Sequence, residues 1–295
     1  MKSLPVYDIE TLSKQQEHDL QISGFAEYIE NHHKDLHAPH RHNFYHMVLF
    51  TKGAGSQTID FETFTVKPFL VYFMIPGQVH SWSFDGEVDG YIINFSEAFF
   101  QSFLARHDYL AQLPFFSGMA QDCVLNIPEE LQQRIIALFE DLLSEYRSGK
   151  ALANDLIRAV MLQLFIHIAR LSQNLQQSVS PSYNYTLLKN FQRLIEQNYS
   201  RLKLPKEYAE LLYITPNHLN ALSNDMFGLS AGEVIRNRVI LEAKRMLVNQ
   251  DMTVQQIADQ LNFADNSYFT KFFKKQAGIT PEEFRKKSNH YVHTS

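Results

Sequence analysis

The 295-residue sequence contains one cysteine, Cys123, and no apolar run approaching a membrane span. A lone thiol excludes an internal disulfide framework and suits a reducing compartment. Residues 1–21, MKSLPVYDIETLSKQQEHDLQ, lack the apolar core of a secretory signal, so the chain is expected to be soluble and cytoplasmic, with no membrane partner. Excess positive charge is also missing: the formal net charge is −5, which in a uniform chain would argue against nucleic acid. The charge is not uniform. Residues 1–183 hold 12 of the 27 Lys+Arg and 21 of the 32 Asp+Glu, a net of −9, which leaves +4 on the remainder. A polyanion would be met by that basic remainder. With 45% hydrophobic residues, the length suffices for two domain cores.

Within the basic part, residues 251–287 read DMTVQQIADQLNFADNSYFTKFFKKQAGITPEEFRKK. Thr253 with Gln256 makes a capping box, and Val254, Ile257, Ala258 and Leu261 recur at helical spacing. After the polar break Ala264-Asp265-Asn266, Phe269, Phe272 and Phe273 fall on one helix face and Asn266, Thr270, Lys271 and Lys274 on the other. Gly278 ends that helix, and Thr280-Pro281-Glu282-Glu283 opens another. Two short helices with a polar outer face on the second suit a helix-turn-helix, because amides, hydroxyls and ammonium groups match base edges and phosphates. A helical hairpin with a solvated face gives the same pattern in a single copy.

A second copy lies about fifty residues upstream. Ala209, Leu212 and Ile214 superpose on Ala258, Leu261 and Phe263, Leu219 and Leu222 on Phe269 and Phe272, and Gly228-Leu229-Ser230 on Gly278-Ile279-Thr280. Thr215-Pro216 supplies cap and first turn; Leu219, Leu222, Met226 and Phe227 face inward, and Asn217, Asn220, Ala221 and Asn224 outward. Between the units runs AGEVIRNRVILEAKRMLVNQ, opened by the Ser230/Glu233 capping box. At 1.5 Å per residue this helix spans roughly 25–30 Å, near one turn of DNA.

Over about residues 185–288, and most densely in IADQLNFADNSYFTKFFKKQAGITPEEFR, the chain resembles the AraC/XylS family of bacterial transcriptional regulators. The resemblance implies base reading by Asn217, Asn220 and Ala221 in the first unit and by Asn266, Ser267, Thr270 and Lys271 in the second; Asn224, Lys274 and Lys275 complete the expected DNA-binding set. One departure from the family pattern is Ala221, where Arg is frequent. Alanine touches only a thymine methyl, so the first unit is expected to read few bases.

The N-terminal part differs in kind. Residues 1–24 read as a polar arm. Across residues 25–95, FAEYIE, YHMVLFT, SQTIDF, ETFTV, FLVYFMI, HSWSF and DGYIINF are short, aromatic and β-branched, and separated by turn residues, which predicts an antiparallel barrel or jelly roll. HAPHRHNFYHMVLFTKGAG followed by FMIPGQVHSW resembles a small cupin, with His46 where Glu is usual and Phe84 where Asn is expected. The regulatory half of AraC-type proteins is commonly such a barrel, so the resemblance implies a ligand-sensing domain.

His40, His42 and His46 share parity, so on one extended strand they would face one way, with His80 closing the set. Four imidazoles suit zinc, nickel, iron or copper, and imidazoles equally hydrogen-bond an organic ligand or a backbone carbonyl. The preferred assignment is ligand contact by His40, His42, His46, His80, Trp82 and Tyr91, with no cofactor, and the four histidines as a metal site is the alternative. Trp82, Phe44, Phe50, Tyr72 and Tyr91 fit an apolar pocket and equally an ordinary aromatic core. Arg41 reads as a carboxylate partner or a surface charge, and His32, His33 and His37 as solvent-facing loop residues.

From Ser96 the period becomes helical. SEAFFQSFLARHDYLAQL, PEELQQRIIALFEDLLSEYRSG and ALANDLIRAVMLQLFIHIARLSQNL predict three helices, with apolar stripes Leu131/Ile135/Leu138/Leu142 and Leu156/Val160/Leu164/Ile168. The stripes suit internal packing, and the resemblance implies that one such helix pairs with its twin in a homodimer. SQNLQQSVSPSYN reads as a linker.

The expected organisation is a two-domain α+β protein: arm (1–24), cupin-like antiparallel β-barrel (25–95), packing and dimerisation helices (96–172), linker (173–184) and an all-α domain of two helix-turn-helix units joined by a long helix (185–290). The expected function is a non-enzymatic DNA-binding activator or repressor responding to a small-molecule effector, apolar or aromatic by the barrel's composition. Double-stranded DNA, the effector, a second copy of the chain and RNA polymerase are its expected partners. A metal-dependent cupin enzyme fused to a DNA-binding domain is the alternative, disfavoured by the missing Glu and Asn; a ligand-free architectural DNA binder is a third.

Overall fold

Alternation places every second side chain of a strand on one face, and in this chain both faces of several strands are apolar, which calls for a layer on each side. The computed structural model describes residues 5–12, 19–36, 39–104, 109–118, 120–171, 183–248 and 252–293. They fall into two units, one within Pro5–Gln177 and one within Ser178–Ser295.

The first unit is built on two five-stranded sheets. β1 (Val6–Tyr7), β3 (His40–His42), β8 (Val79–Phe84), β5 (Gly55–Ile59) and β6 (Glu62–Val66) form one, in that order; β10 (Val124–Asn126), β7 (Leu70–Met74), β4 (Tyr45–Lys52), β9 (Asp89–Phe95) and β2 (Leu20–Gly24) form the other. Every pairing is antiparallel except β1 with β3. In the second sheet, His46, Phe50, Tyr72 and Asn94 point toward the first sheet, whereas Phe73, Tyr91 and Phe95 point the other way. There they meet α5 (Glu129–Ser148) and α6 (Ala153–Ala169). Phe73 stacks on Phe115 with centroids 3.9 Å apart, and Phe165 joins Phe95, Phe100, Phe115 and Phe116 in one aromatic cluster. This double covering is why all five residues of β7 are buried. At the β4–β9 register shift, a side chain on Gly90 (φ 153°) would collide with the Leu49 carbonyl, so glycine is required there.

Several expectations are corrected. FAEYIE is not a strand: Phe25–Leu36 is helix α2, because buried Phe25 and Tyr28 with half-buried Ile29 recur at three-to-four-residue spacing, and that period outweighs their strand propensity. The expected polar arm contributes β1, helix α1 (Ile9–Leu12) and β2, whose alternate residues Leu20 and Ile22 are buried. The first of the three expected helices is broken into α3 (Glu97–Gln101) and α4 (Tyr109–Gln112), and β10 follows them. α5 begins after Pro128 and ends at left-handed Gly149, as its punctuation predicts. On α6 the buried stripe is Ile157, Met161, Leu164, Phe165 and Ile168, while Leu156 is 50% exposed. His32 belongs to helix α2 and packs on Tyr28, not to a loop; His37 and the SQNLQQSVSPSYN segment up to residue 182 lie outside the described residues.

The second unit is helical: α7 (Tyr183–Asn198), α8 (Pro205–Leu211), α9 (Pro216–Phe227), α10 (Ala231–Val248), α11 (Val254–Gln260), α12 (Asn266–Ala277) and α13 (Pro281–His293). Its core joins Leu219, Leu247, Ile257, Leu261, Phe269 and Phe273 around α10. Arg238 braces α10 to α7, donating to both Glu196 oxygens and to Glu242 while its guanidinium lies 3.9 Å from the Tyr199 ring. Among the described residues no helix is long and apolar enough to cross a membrane.

Candidate DNA-binding face and histidine cluster

Each helix-turn-helix unit is set by local hydrogen bonds that its sequence specifies. In the first, the Thr215 hydroxyl accepts from the His218 amide at 3.1 Å and opens α9; in the second, the Asp265 carboxylate accepts from the Tyr268 amide at 2.7 Å and opens α12. Thr253 and Gln256 close the reciprocal capping box ahead of α11, and Ser230 with Glu233 does so ahead of α10. Both α9 and α12 end at left-handed glycines, Gly228 and Gly278. α10 has 18 residues, roughly 27 Å at 1.5 Å per residue.

On α9, Asn217, Ala221 and Asn224 are exposed, while Asn220 is partly buried and its side-chain oxygen accepts from the Ala231 amide at 3.1 Å. Asn220 therefore caps α10, which fixes its amide group and leaves its two N–H donors and one oxygen lone pair for an outside partner. On α12, Ser267, Lys271, Lys274 and Lys275 are exposed; Asn266 and Thr270 are partly buried and bonded to each other at 3.3 Å. Two further side chains share these faces and were not anticipated, His218 and Tyr268. Both sit at the third residue of the helix, where a polar tip on the outer face was the available signal. Lys203 was missed as well: its ammonium donates to the carbonyls of Ser200 and Leu261 at 2.8 and 2.5 Å and lies over the Phe263 ring, bracing the entrance of the first unit against the turn of the second.

In the other unit the histidines do not share one strand. His40 and His42 lie on β3 and His46 on β4, in the opposing sheet, with the chain crossing at Asn43–Phe44; His80 lies on β8, in register with His40. All four are buried. His42 Nε2 and His80 Nε2 are 2.7 Å apart, and the His40 and His80 ring centroids 4.1 Å. His46 is engaged on both nitrogens: its Nδ1–H donates to the Asn94 side-chain oxygen at 2.7 Å, and its Nε2 accepts from the Tyr72 hydroxyl at 3.1 Å. The Tyr72 oxygen accepts from Trp82 Nε1–H at 3.0 Å, and the Asn94 amide donates to Gln21 at 2.8 Å. Burial holds His46 down to about 3, and burial followed by the neighbouring imidazoles holds His42 and His80 well below the ordinary range, so all three are neutral at pH 7. The nitrogens able to hold a metal are one each from His40, His42 and His80, all within 4.8 Å of one another.

The structure brings Trp82 and Tyr72 to this cluster and takes Tyr91 away. Tyr91 sits on the helix-facing side of β9, stacked on Phe139 and donating to Glu140 at 3.4 Å, where it lines an open surface groove with Leu143, Ser144 and Arg147. Strand parity separates it from the histidines. Arg41 points to the opposite face of β3 from His40 and His42. Asn94 and Gln21 were not singled out, although a lone amide in the apolar run YIINF was a legible signal of a buried polar partner.

Comparison with known proteins bears on both units. Residues 24–165 match the AraC-like ligand binding domain and residues 208–287 a helix-turn-helix domain. The chain belongs to the AraC family. Among relatives of this AraC-family chain is the uncharacterized transcriptional regulatory protein YesN of Bacillus subtilis, 29% identical over 126 residues, which are 41% of this chain and 34% of that protein. The uncharacterized HTH-type transcriptional regulator YfiF of Bacillus subtilis is 22% identical over 270 residues, 90% of this chain and 84% of that protein. Among solved structures, ToxT of Vibrio cholerae aligns over 95% of this chain and 100% of its own at 14% identity, with a TM-score of 0.46. The matched region spans half or less of the length of several curated relatives.

Proposed function

We propose that this AraC-family chain is a sequence-specific DNA-binding transcriptional regulator whose N-terminal unit binds a small-molecule effector. The observation that carries this is the duplication: two capped helix-turn-helix units, joined by one 18-residue helix, present amide, hydroxyl and ammonium side chains outward. An outer face of Asn217, Ala221 and Asn224 on one helix and of Ser267, Lys271, Lys274 and Lys275 on the other suits base edges and phosphates in successive major grooves. The buried imidazoles, Trp82 and Tyr72 supply fixed polar groups in an apolar setting, as effector sites do. Binding there changes DNA affinity only if the effector has different affinity for two arrangements of the protein. The setting is the cytoplasm, and the cluster serves sensing, not catalysis. A second copy and RNA polymerase are the protein partners; exposed Leu152 and Leu156 on and beside α6 support the former.

Fluorescence-anisotropy titration of the whole chain against its own upstream DNA, at two salt concentrations and with scrambled DNA alongside, tests this. Preference for the upstream fragment that persists at the higher salt is the expected result. Equal, steeply salt-dependent binding to both fragments would mean that phosphate alone is read and would overturn it.

A further inference from the structure

We propose that His40, His42 and His80 form a three-imidazole site for a divalent transition-metal ion of the zinc, nickel and copper class. The inference deepens the reading of the N-terminal unit as an effector-binding unit, and rests on it. Its basis is geometric. β3 and β8 are paired neighbours, and their alternation turns these three rings to one side, with one nitrogen of each ring within 4.8 Å of one nitrogen of each of the others. The rings are 0–2% exposed. Buried neutral imidazoles are the form and the donor type that these borderline ions select, whereas calcium and magnesium take oxygen ligands.

The polar atoms fit the same reading. His42 Nδ1 and His80 Nδ1 are buried without a hydrogen-bond partner, so the pair is held together by the one Nε2···Nε2 contact at 2.7 Å, in which one ring carries the proton and the other accepts it. A buried histidine pair satisfied on one side only is a costly arrangement to leave without a further purpose. Zinc–nitrogen bonds of about 2.0–2.1 Å in tetrahedral geometry separate two ligand nitrogens by roughly 3.3 Å, so the His42 and His80 rings would part by about 0.6 Å while donor pairs as far apart as 4.8 Å would close by up to about 1.5 Å, within reach of side-chain rotation. The ring now protonated on Nε2 would move that proton to its own Nδ1, freeing the lone pair that forms the bond to the metal. No net proton is released, and the fourth coordination position is left to water or another donor. His46 stays outside the set, because Asn94 and Tyr72 already take both of its nitrogens. Its role is positional, since it packs 5.1 Å from the His42 ring.

The test uses the full chain without a polyhistidine tag, stripped with chelator and titrated with cobalt(II), read by visible ligand-field absorption and by elemental analysis. One ion per chain, displaced by zinc, is expected. His42→Ala and His80→Ala should each weaken uptake by about a hundredfold or more, and His46→Gln by about tenfold at most. Far-UV circular dichroism and Trp82 fluorescence report whether each variant is folded. X-ray absorption of the zinc-loaded wild type, which needs no variant, should count three imidazoles. No stoichiometric cobalt, an imidazole count below two, or uptake unchanged in a folded His42→Ala/His80→Ala double variant would each overturn the site. DNA binding is read separately, by anisotropy without added metal: loss of sequence preference there would overturn the regulator reading and leave the metal site standing, while a failed cobalt titration would do the reverse.

Discussion

The two helix-turn-helix units turn at equivalent residues with unequal chemistry. Tyr213 and Asn262 both adopt left-handed backbone, φ 56° and 53°, and both donate their amides three residues back, to Glu210 and Asp259. Asparagine tolerates that region; a bulky aromatic residue does not, and an L-residue held there costs about 1–2 kcal/mol. The Tyr213 ring does not offset the cost by packing, since it is 96% exposed. Replacing it with the residue the second unit uses, Tyr213→Asn, should therefore stabilise the C-terminal unit by about 0.5–1 kcal/mol. For a unit of this size that raises the midpoint by roughly 2–6 °C. The assay exploits the chain's one tryptophan, Trp82, which lies in the N-terminal unit. Its fluorescence follows that unit alone, while far-UV circular dichroism also follows the all-helical C-terminal unit. The helical transition should move up and the fluorescence transition stay in place, with Tyr213→Phe neutral to within about 0.5 kcal/mol. A helical midpoint that is unchanged or lower in Tyr213→Asn would refute the strain reasoning. A stabilised variant with weaker DNA binding would show that the strained ring is kept for contact.

Three other outcomes are expected. Lys271→Ala should lose about 1–3 kcal/mol of discrimination at one base position, whereas Lys275→Ala should weaken all sequences alike and lower the salt slope by about one; anisotropy with single-base operator variants separates them. Phe73→Ala, which removes a fully buried ring stacked on Phe115, should cost about 3–5 kcal/mol and lower the Trp82-reported midpoint. Lys203→Met keeps the stem but removes the donors to the Ser200 and Leu261 carbonyls; it should cost about 1 kcal/mol and widen the range of half-site spacings bound, measured on operators with inserted base pairs.

What could be seen in advance tracks how local the determining physics is. Caps, glycine stops and the repeat were legible because Thr215, Thr253, Gly228 and Gly278 act on neighbours within a turn. The helix at Phe25–Leu36 was misread because its six-residue core is as aromatic as a strand, and only burial against Phe50, Trp82 and Phe84 selects the helical spacing. The histidines were legible as a set, but not the division within it. His46 is withdrawn from the others by Asn94, Tyr72 and Gln21, residues 21 to 94 in the chain that only the sheet order brings together. Tyr91 lies three residues from Asn94 on β9, so alternation turns it to the helix-facing side, away from the histidines, and its aromatic character alone does not distinguish the two sides. Asn220 shows the same limit at short range: an outward amide on α9 is also the nearest acceptor for the first amide of α10.

The two candidate recognition helices divide their labour by charge. α12 carries Lys271, Lys274 and Lys275, whereas α9 has no lysine or arginine and ends its outer face with Asp225. The caps run the opposite way. The neutral Thr215 leaves the positive end of the α9 dipole free to favour a phosphate, while the Asp265 carboxylate already occupies that end of α12. Phosphate attraction in the second unit therefore comes from side chains along the helix, and in the first from the backbone end alone. Each neutralised phosphate contributes about 0.9 to the salt slope, so removing Lys274 and Lys275, the two lysines not assigned to a base, should flatten it by roughly 1.8, most of what these helices can supply. With Asn217, Asn224 and Ala221 as its outer face, the first unit is expected to bind DNA weakly by itself and to gain from the high local concentration that α10 confers once the second unit is seated. Asp265→Asn discriminates this from equal sharing. Asparagine caps as well as aspartate, so the fold should be unaffected, yet loss of one negative charge at the DNA face should tighten binding to every sequence alike. An unchanged affinity would mean that the N-terminus of α12 does not approach phosphate.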